Sequence, residues 1–153
     1  MAIVQYISAL ALDVGSKRIG VAGCDGTGLI ATGIMTIDRT SFEQVVAIIQ
    51  QLIADRSVSI LVVGLPYTLA GELGAQARQV QKFTRRLAKA VELPVEYVDE
   101  RLTSVTAEQL MIAAGQSPRD DKGMIDRKAA ALILQDWLNL RREQLNSSRW
   151  ISG

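Results

Sequence analysis

The sequence predicts an α/β fold, a mixed five-stranded sheet with helices on its faces. Three observations carry that expectation. Short apolar runs over residues 7–13, 19–25 and 29–37 are separated only by the polar turns at "SKR" and "GTG", the pattern of an antiparallel meander. The period then changes, since Phe42, Val45, Val46, Ile49, Leu52 and Ile53 follow helical spacing. Finally, the unbroken apolar run "VSILVVGLP" at 58–66 has the character of a central strand buried on both faces.

The remaining elements follow in order. Ser41 with Gln44 forms a capping-box pattern at the start of the first helix. Residues 75–91 form a second amphipathic helix with Val80, Phe83 and Leu87 inward, and "PVEYVDE" at 94–100 is a short strand ending in two carboxylates. "RLTSVTAEQLMIAAG" offers Thr103 or Ser104 as N-cap and Gly115 as a helix stop. After the polar loop "QSPRDDKG", a long helix is expected from about Met124 to Leu145. Residues 1–145 therefore read as one domain and 146–153 as a flexible tail.

Composition narrows the chemistry. The chain has 153 residues, 48% apolar and 22% charged, as in ordinary globular proteins. No apolar run approaches the roughly 20 residues of a membrane span. The apolar start "MAIVQYISALALD" lacks a basic segment and reads as a first strand rather than a leader. The single cysteine, Cys24, allows no internal disulfide, which fits a cytoplasmic location, and it reads as a small core residue. The absence of histidine excludes Ser-His-Asp and Cys-His catalysis and any His-containing zinc site, and no phosphate-binding G-x-x-x-x-G-K-[ST] loop is present. A net charge of +1 gives no overall attraction for nucleic acid.

Acidic residues stand where packing alone would not choose them. Asp13 ends a greasy first strand, Asp99 and Glu100 end the last strand, and Asp126 lies in the first turn of the final helix. On a helical wheel Asp126 falls within the inward stripe of Ala129, Ala130, Ile133 and Trp137, away from Lys128 and Gln135. Each has an ordinary explanation in isolation: an Asx-turn at Asp13, a surface ion pair at Asp99 or Glu100, a helix-dipole partner at Asp126. Together, strand ends and a helix start meeting at one sheet edge make a cluster of hard oxygen donors. Such a set suits Mg²⁺ or Mn²⁺, which can activate water and stabilise a phosphodiester transition state.

Four blocks, "ALDVGSKRIGVA", "VVGLPYTLAGELGAQARQVQKF", "VDERLTSVTAEQLM" and "KGMIDRKAAALILQDWL", resemble the YqgF (RuvX) family in order and spacing. This is the Holliday-junction-resolvase-like branch of the ribonuclease H superfamily. The resemblance implies a ribonuclease H-like fold and a nuclease that matures the 5′ end of precursor 16S rRNA, or one that cuts branched DNA as a symmetric homodimer. It implies Asp13, Glu100 and Asp126 as the catalytic, metal-holding acids, with Asp99 the alternative for the middle position. Strand alternation sends Asp99 and Glu100 to opposite faces, and the sequence leaves open which one meets the others. One departure is notable: many relatives carry Asn and Asp in the loop after "GLP", where this chain has Thr68 and Ala70. That loop is therefore expected to touch substrate rather than metal.

Lys17, Arg18, Arg101, Lys122, Arg127 and Lys128 flank the acids in sequence and are expected to form a phosphate-contacting rim. Arg85-Arg86 and Arg141-Arg142 are expected to be solvated helix surface. Aromatics amount to 5%, so backbone and shape recognition is favoured over base stacking, with Tyr67 the one aromatic contact to test. The expected partner is structured RNA or branched DNA, with no membrane. Two other classes remain. "DVGSKRIGVA" also resembles the first phosphate loop of actin-type and sugar-kinase ATPases, which need two such domains. A weakly catalytic RNA-binding assembly factor is the other.

Overall fold

Alternation along the first strand divides the molecule into two layers. In β1 (Ala9–Val14), Leu10, Leu12 and Val14 point to one face of the sheet, and Ala9, Ala11 and Asp13 to the other. The computed structural model describes residues 7–67, 70–100, 112, 115 and 122–151. Around β1 stand β2 (Arg18–Cys24), β3 (Ala31–Asp38), β4 (Ile60–Leu65) and β5 (Val95–Asp99), in the sheet order β3-β2-β1-β4-β5. β1, β2 and β3 pair antiparallel, and β1, β4 and β5 run parallel. This is the expected mixed sheet, a meander continued by crossovers.

The large residues pack under α1 (Phe42–Arg56) and α2 (Ala75–Val91). Val45 and Ile49 of the first helix and Val80, Phe83 and Leu87 of the second close over Leu10, Leu12, Val21, Leu61 and Val63. Ser41 caps α1 by accepting from the Gln44 N–H at 3.2 Å, as its sequence pattern predicts. At its other end Ser57 takes a left-handed conformation, φ 52°, and donates its N–H to the Ile53 carbonyl.

The opposite face is built from small residues. Ala9, Ala11, Ala22 and Val62 meet Ala130, Ile133, Leu134 and Leu138 of α3 (Lys122–Ile151). Cys24 is buried in this layer as a free thiol. α3 lies close to the sheet because two strands carry glycine beneath it. A Cβ on Gly20 would stand 2.0 Å from the Asp126 carbonyl oxygen, and one on Gly33 would stand 3.0 Å from the Arg127 Cβ. α3 continues past the expected end at Leu145 to Ile151. The expected helix before Gly115 lies outside the described residues, apart from helical Ile112. Gly115 itself has φ +77° and donates to the Ile112 carbonyl at 3.0 Å, in keeping with a helix stop. Among the described residues no helix is long and apolar enough to cross a membrane.

Replacing Gly20 with alanine should force α3 off the sheet. Overpacking of a tight site costs about 1–3 kcal/mol, and the obstacle here is backbone rather than a flexible side chain. A urea titration of Gly20→Ala should show a lower midpoint with an unchanged slope.

Candidate active site

The parallel register sets Leu12 beside Val63, and one step further sets Asp13 beside Gly64 of β4. On its other side Asp13 pairs with Gly20 of β2. Asp13 thus stands between two strand positions that carry no side chain. Through the opening at Gly64 comes Glu100, whose Oε2 would lie 2.6 Å from a Cβ placed there. Glu100 follows β5 directly, and its N–H donates to the Leu65 carbonyl at 3.0 Å, which fixes it at the end of β4. Over the opening at Gly20 lies α3 at Asp126, which stands past the first turn rather than in it as expected, because the helix already begins at Lys122.

The structure joins Asp13 and Glu100 by a side-chain hydrogen bond. Asp99 lies one residue earlier, on the alternate face, and acts on Glu100 only through its charge. Asp126 is close enough for its charge to act on Asp13. Its Oδ2, however, accepts from the Arg18 Nε at 2.8 Å. Two acids are therefore in contact and the third is held by a guanidinium. Among the described residues no three acidic side chains stand in a metal-ligating arrangement.

Burial dominates the electrostatics. It raises the Asp13 carboxyl from 3.8 to about 6, against the lowering effect of its hydrogen bond to Glu100 and with a further rise from the charge of Asp126. Glu100 is raised from 4.5 to about 9, by burial first, then by the charge of Asp13, the shared hydrogen bond and the charge of Asp99. Near neutrality the pair keeps one proton: Glu100 donates its O–H and Asp13 accepts as the carboxylate. Arg18 shifts upward, chiefly through its hydrogen bond to Asp126.

Four of the six basic residues expected at the rim have described side chains, namely Lys17, Arg18, Arg127 and Lys128. Lys17 is exposed in the turn before β2, beside Arg18. Arg127 leans instead over β3, where its Nη1 donates to the Thr36 Oγ1 at 3.4 Å. Lys128 is half-buried along α3. Arg101, the Lys122 side chain and Thr68 lie outside the described residues. Ala70 occupies an exposed turn, and Tyr67 packs against the larger core. Gly20 and Gly64 were not singled out from the sequence, although a glycine inside a buried strand signals close approach of another group.

Both shifted acids hold their protons more tightly when folded than when unfolded. Such groups stabilise fully below their unfolded values near 4, and that stability is lost as pH rises through about 6 and then about 9. In EDTA the melting temperature should therefore fall from pH 5 to pH 9. Glu100→Gln should flatten the upper part of that decline, as followed by circular dichroism.

Comparison with known proteins places this geometry. The family described as RuvX, Holliday junction resolvase, matches residues 7–140. A Trichormus variabilis protein named "Putative pre-16S rRNA nuclease" is 67% identical over 144 residues, covering 94% of this chain and 95% of its own. A Synechocystis protein of the same name is 62% identical over 141 residues, covering 92% and 93%. Among solved structures, Thermus thermophilus RuvC in complex with a Holliday junction substrate aligns over 90% of this chain and 96% of its own, with a TM-score of 0.56 at 15% identity. That likeness is one of fold, a ribonuclease H-like mixed sheet. The family match and the full-length relatives agree, and the chain belongs to the RuvX family.

Proposed function

We propose that this protein is a divalent-metal-dependent endonuclease that processes the 5′ end of precursor 16S rRNA. The observation that carries the reading is the half-buried, hydrogen-bonded Asp13–Glu100 pair with Asp126 alongside it. Asp126 is already paired with Arg18, but drawing Asp13 and Glu100 together away from water opposes folding unless a cation joins them. The names of relatives more than 60% identical over nearly their whole length supply the RNA.

The donor set suits Mg²⁺ or Mn²⁺. Every candidate ligand is a carboxylate oxygen, and burial together with the charges of Asp13 and Asp99 keeps the proton on Glu100. Asp13, Glu100 and Asp126 would hold the ion. When bound, it supplies activation of the attacking water and neutralises charge that builds on the phosphate. In that role Glu100 would be ionised, its proton passing to solvent, and the Asp126 carboxylate now paired with Arg18 would be a ligand. The freed Arg18 then has its guanidinium beside the acids, where its planar donors suit a phosphate oxygen. Lys17, in the adjoining turn, adds a second positive charge at the same edge.

Asp13→Asn removes the acid that both others approach. It should abolish cleavage of a precursor 16S rRNA fragment in Mg²⁺ or Mn²⁺ while leaving the circular dichroism spectrum unchanged. Equal cleavage by wild type and variant would refute the assignment. A four-way DNA junction assayed in parallel separates the two substrates, since preferential cutting of the junction would replace RNA with branched DNA. Arg18→Gln should lower RNA cleavage at least tenfold and raise affinity for Mn²⁺ alone, because Asp126 no longer has a competing cation. Calorimetric titration with Mn²⁺ reads the second effect without any turnover.

A further inference from the structure

Arg85 and Arg86, expected from the sequence to be scattered solvated cations, belong to a longer feature. α2 carries Arg78, Lys82, Arg85, Arg86 and Lys89 and no acidic residue. At 3.6 residues per turn these five fall within roughly a 100° sector. All five are exposed, whereas Ala77, Val80, Phe83, Thr84 and Leu87 turn inward on the other side of the helix. Among the described residues none of the five forms a salt bridge. Arg86 is held in place by stacking its guanidinium 4.1 Å above the Phe42 ring of α1. The whole chain has a net charge of only +1, so everything outside this helix is net negative. Positive charge is thus concentrated on one outer ridge, where self-repulsion opposes folding without any internal compensation.

The ridge also has a defined direction. α2 follows β4, whose end carries Gly64 beside Asp13, and it leads back to the start of β5. Its first turns therefore lie toward the carboxylate edge, with Arg78 foremost, and Lys89 lies at the far end. From Arg78 to Lys89 the ridge runs about 16 Å along the helix axis at 1.5 Å per residue. A row of positive charge of that length can lie against several successive phosphates of a duplex, whose strands carry one negative charge per nucleotide. Its sign and its extended, one-sided arrangement suit a phosphate backbone.

We infer that the outer face of α2 is a second nucleic-acid contact, a track for the phosphate backbone of a duplex RNA arm flanking the cleaved bond. The inference rests on the proposed RNA substrate and extends it: the protein selects RNA in which the scissile site adjoins a helical arm. The contact reads charge and shape rather than base sequence, since the ridge presents only Lys and Arg.

The test measures binding of a duplex RNA hairpin to the full chain in EDTA, so that no cutting occurs, over a series of salt concentrations. Lys82→Gln/Arg85→Gln/Lys89→Gln should weaken binding at least tenfold near 0.1 M salt. It should also flatten the plot of log affinity against log salt by about 0.9 per charge removed. Its melting temperature should equal or exceed that of the wild type, and if the triple variant does not fold, the three single variants report the slope. A variant that binds with wild-type affinity and slope overturns the inference, and any acidic protein partner for the ridge would then have to be sought separately. The two readings fail separately. A wild type that cuts RNA, with an unaffected variant, overturns only the track; a wild type that binds through the ridge but cuts nothing overturns only the nuclease.

Discussion

The site depends on the absence of side chains on both sides of Asp13. Gly20 and Gly64 flank it on neighbouring strands, and each admits one further acid: the α3 turn bearing Asp126 over the first, the Glu100 carboxylate over the second. A single methyl group at either position would collide with what now fills it. The same economy of size runs through the whole α3 face, where alanines and glycines let a long helix lie close to the sheet. The opposite face, filled with leucine, isoleucine and valine, supplies the bulk of the apolar burial. One layer thus provides stability and the other provides proximity.

That division sets the electrostatics. A carboxylate drawn into the small-residue layer loses water, and two drawn together repel, so the pair retains a proton and Glu100 rises most. Arg18 relieves the third acid and leaves the first two unrelieved. The arrangement is poised toward positive charge and gives up some stability to be so, as functional sites commonly do.

Most of the architecture was legible in the sequence because its signals are local. Among the described residues, period-two runs, a helical stripe and a capping pair identify the strands and helices to within about two residues, except at the carboxyl end of the last helix, which runs six residues further. Asp126 on an apolar stripe and Asp13 at the end of a greasy strand were visible for the same reason. The choice between Asp99 and Glu100 was not, because it depends on the register of β5 against β4, a long-range pairing that no local pattern encodes. The turn of Arg127 toward β3, and the hold of Arg18 on Asp126, likewise arise from how α3 seats across the sheet. The ridge on α2 was present in the sequence as residue types. It became meaningful only when the buried side of that helix was known and the cations were seen to stand unpaired on the other.

The bond between Arg18 and Asp126 joins residues 108 positions apart. During synthesis the chain emerges from its amino end, so Asp13 and Arg18 are exposed long before the final helix exists. The sheet can begin to form without it, but the third acid arrives last, and with it the lid of small-residue packing. A chain made only as far as β5 therefore holds Asp13 and Arg18 without the α3 segment that packs over Gly20. The order of the elements alone makes the meeting of Asp126 with Arg18 the late step in assembling this edge of the sheet.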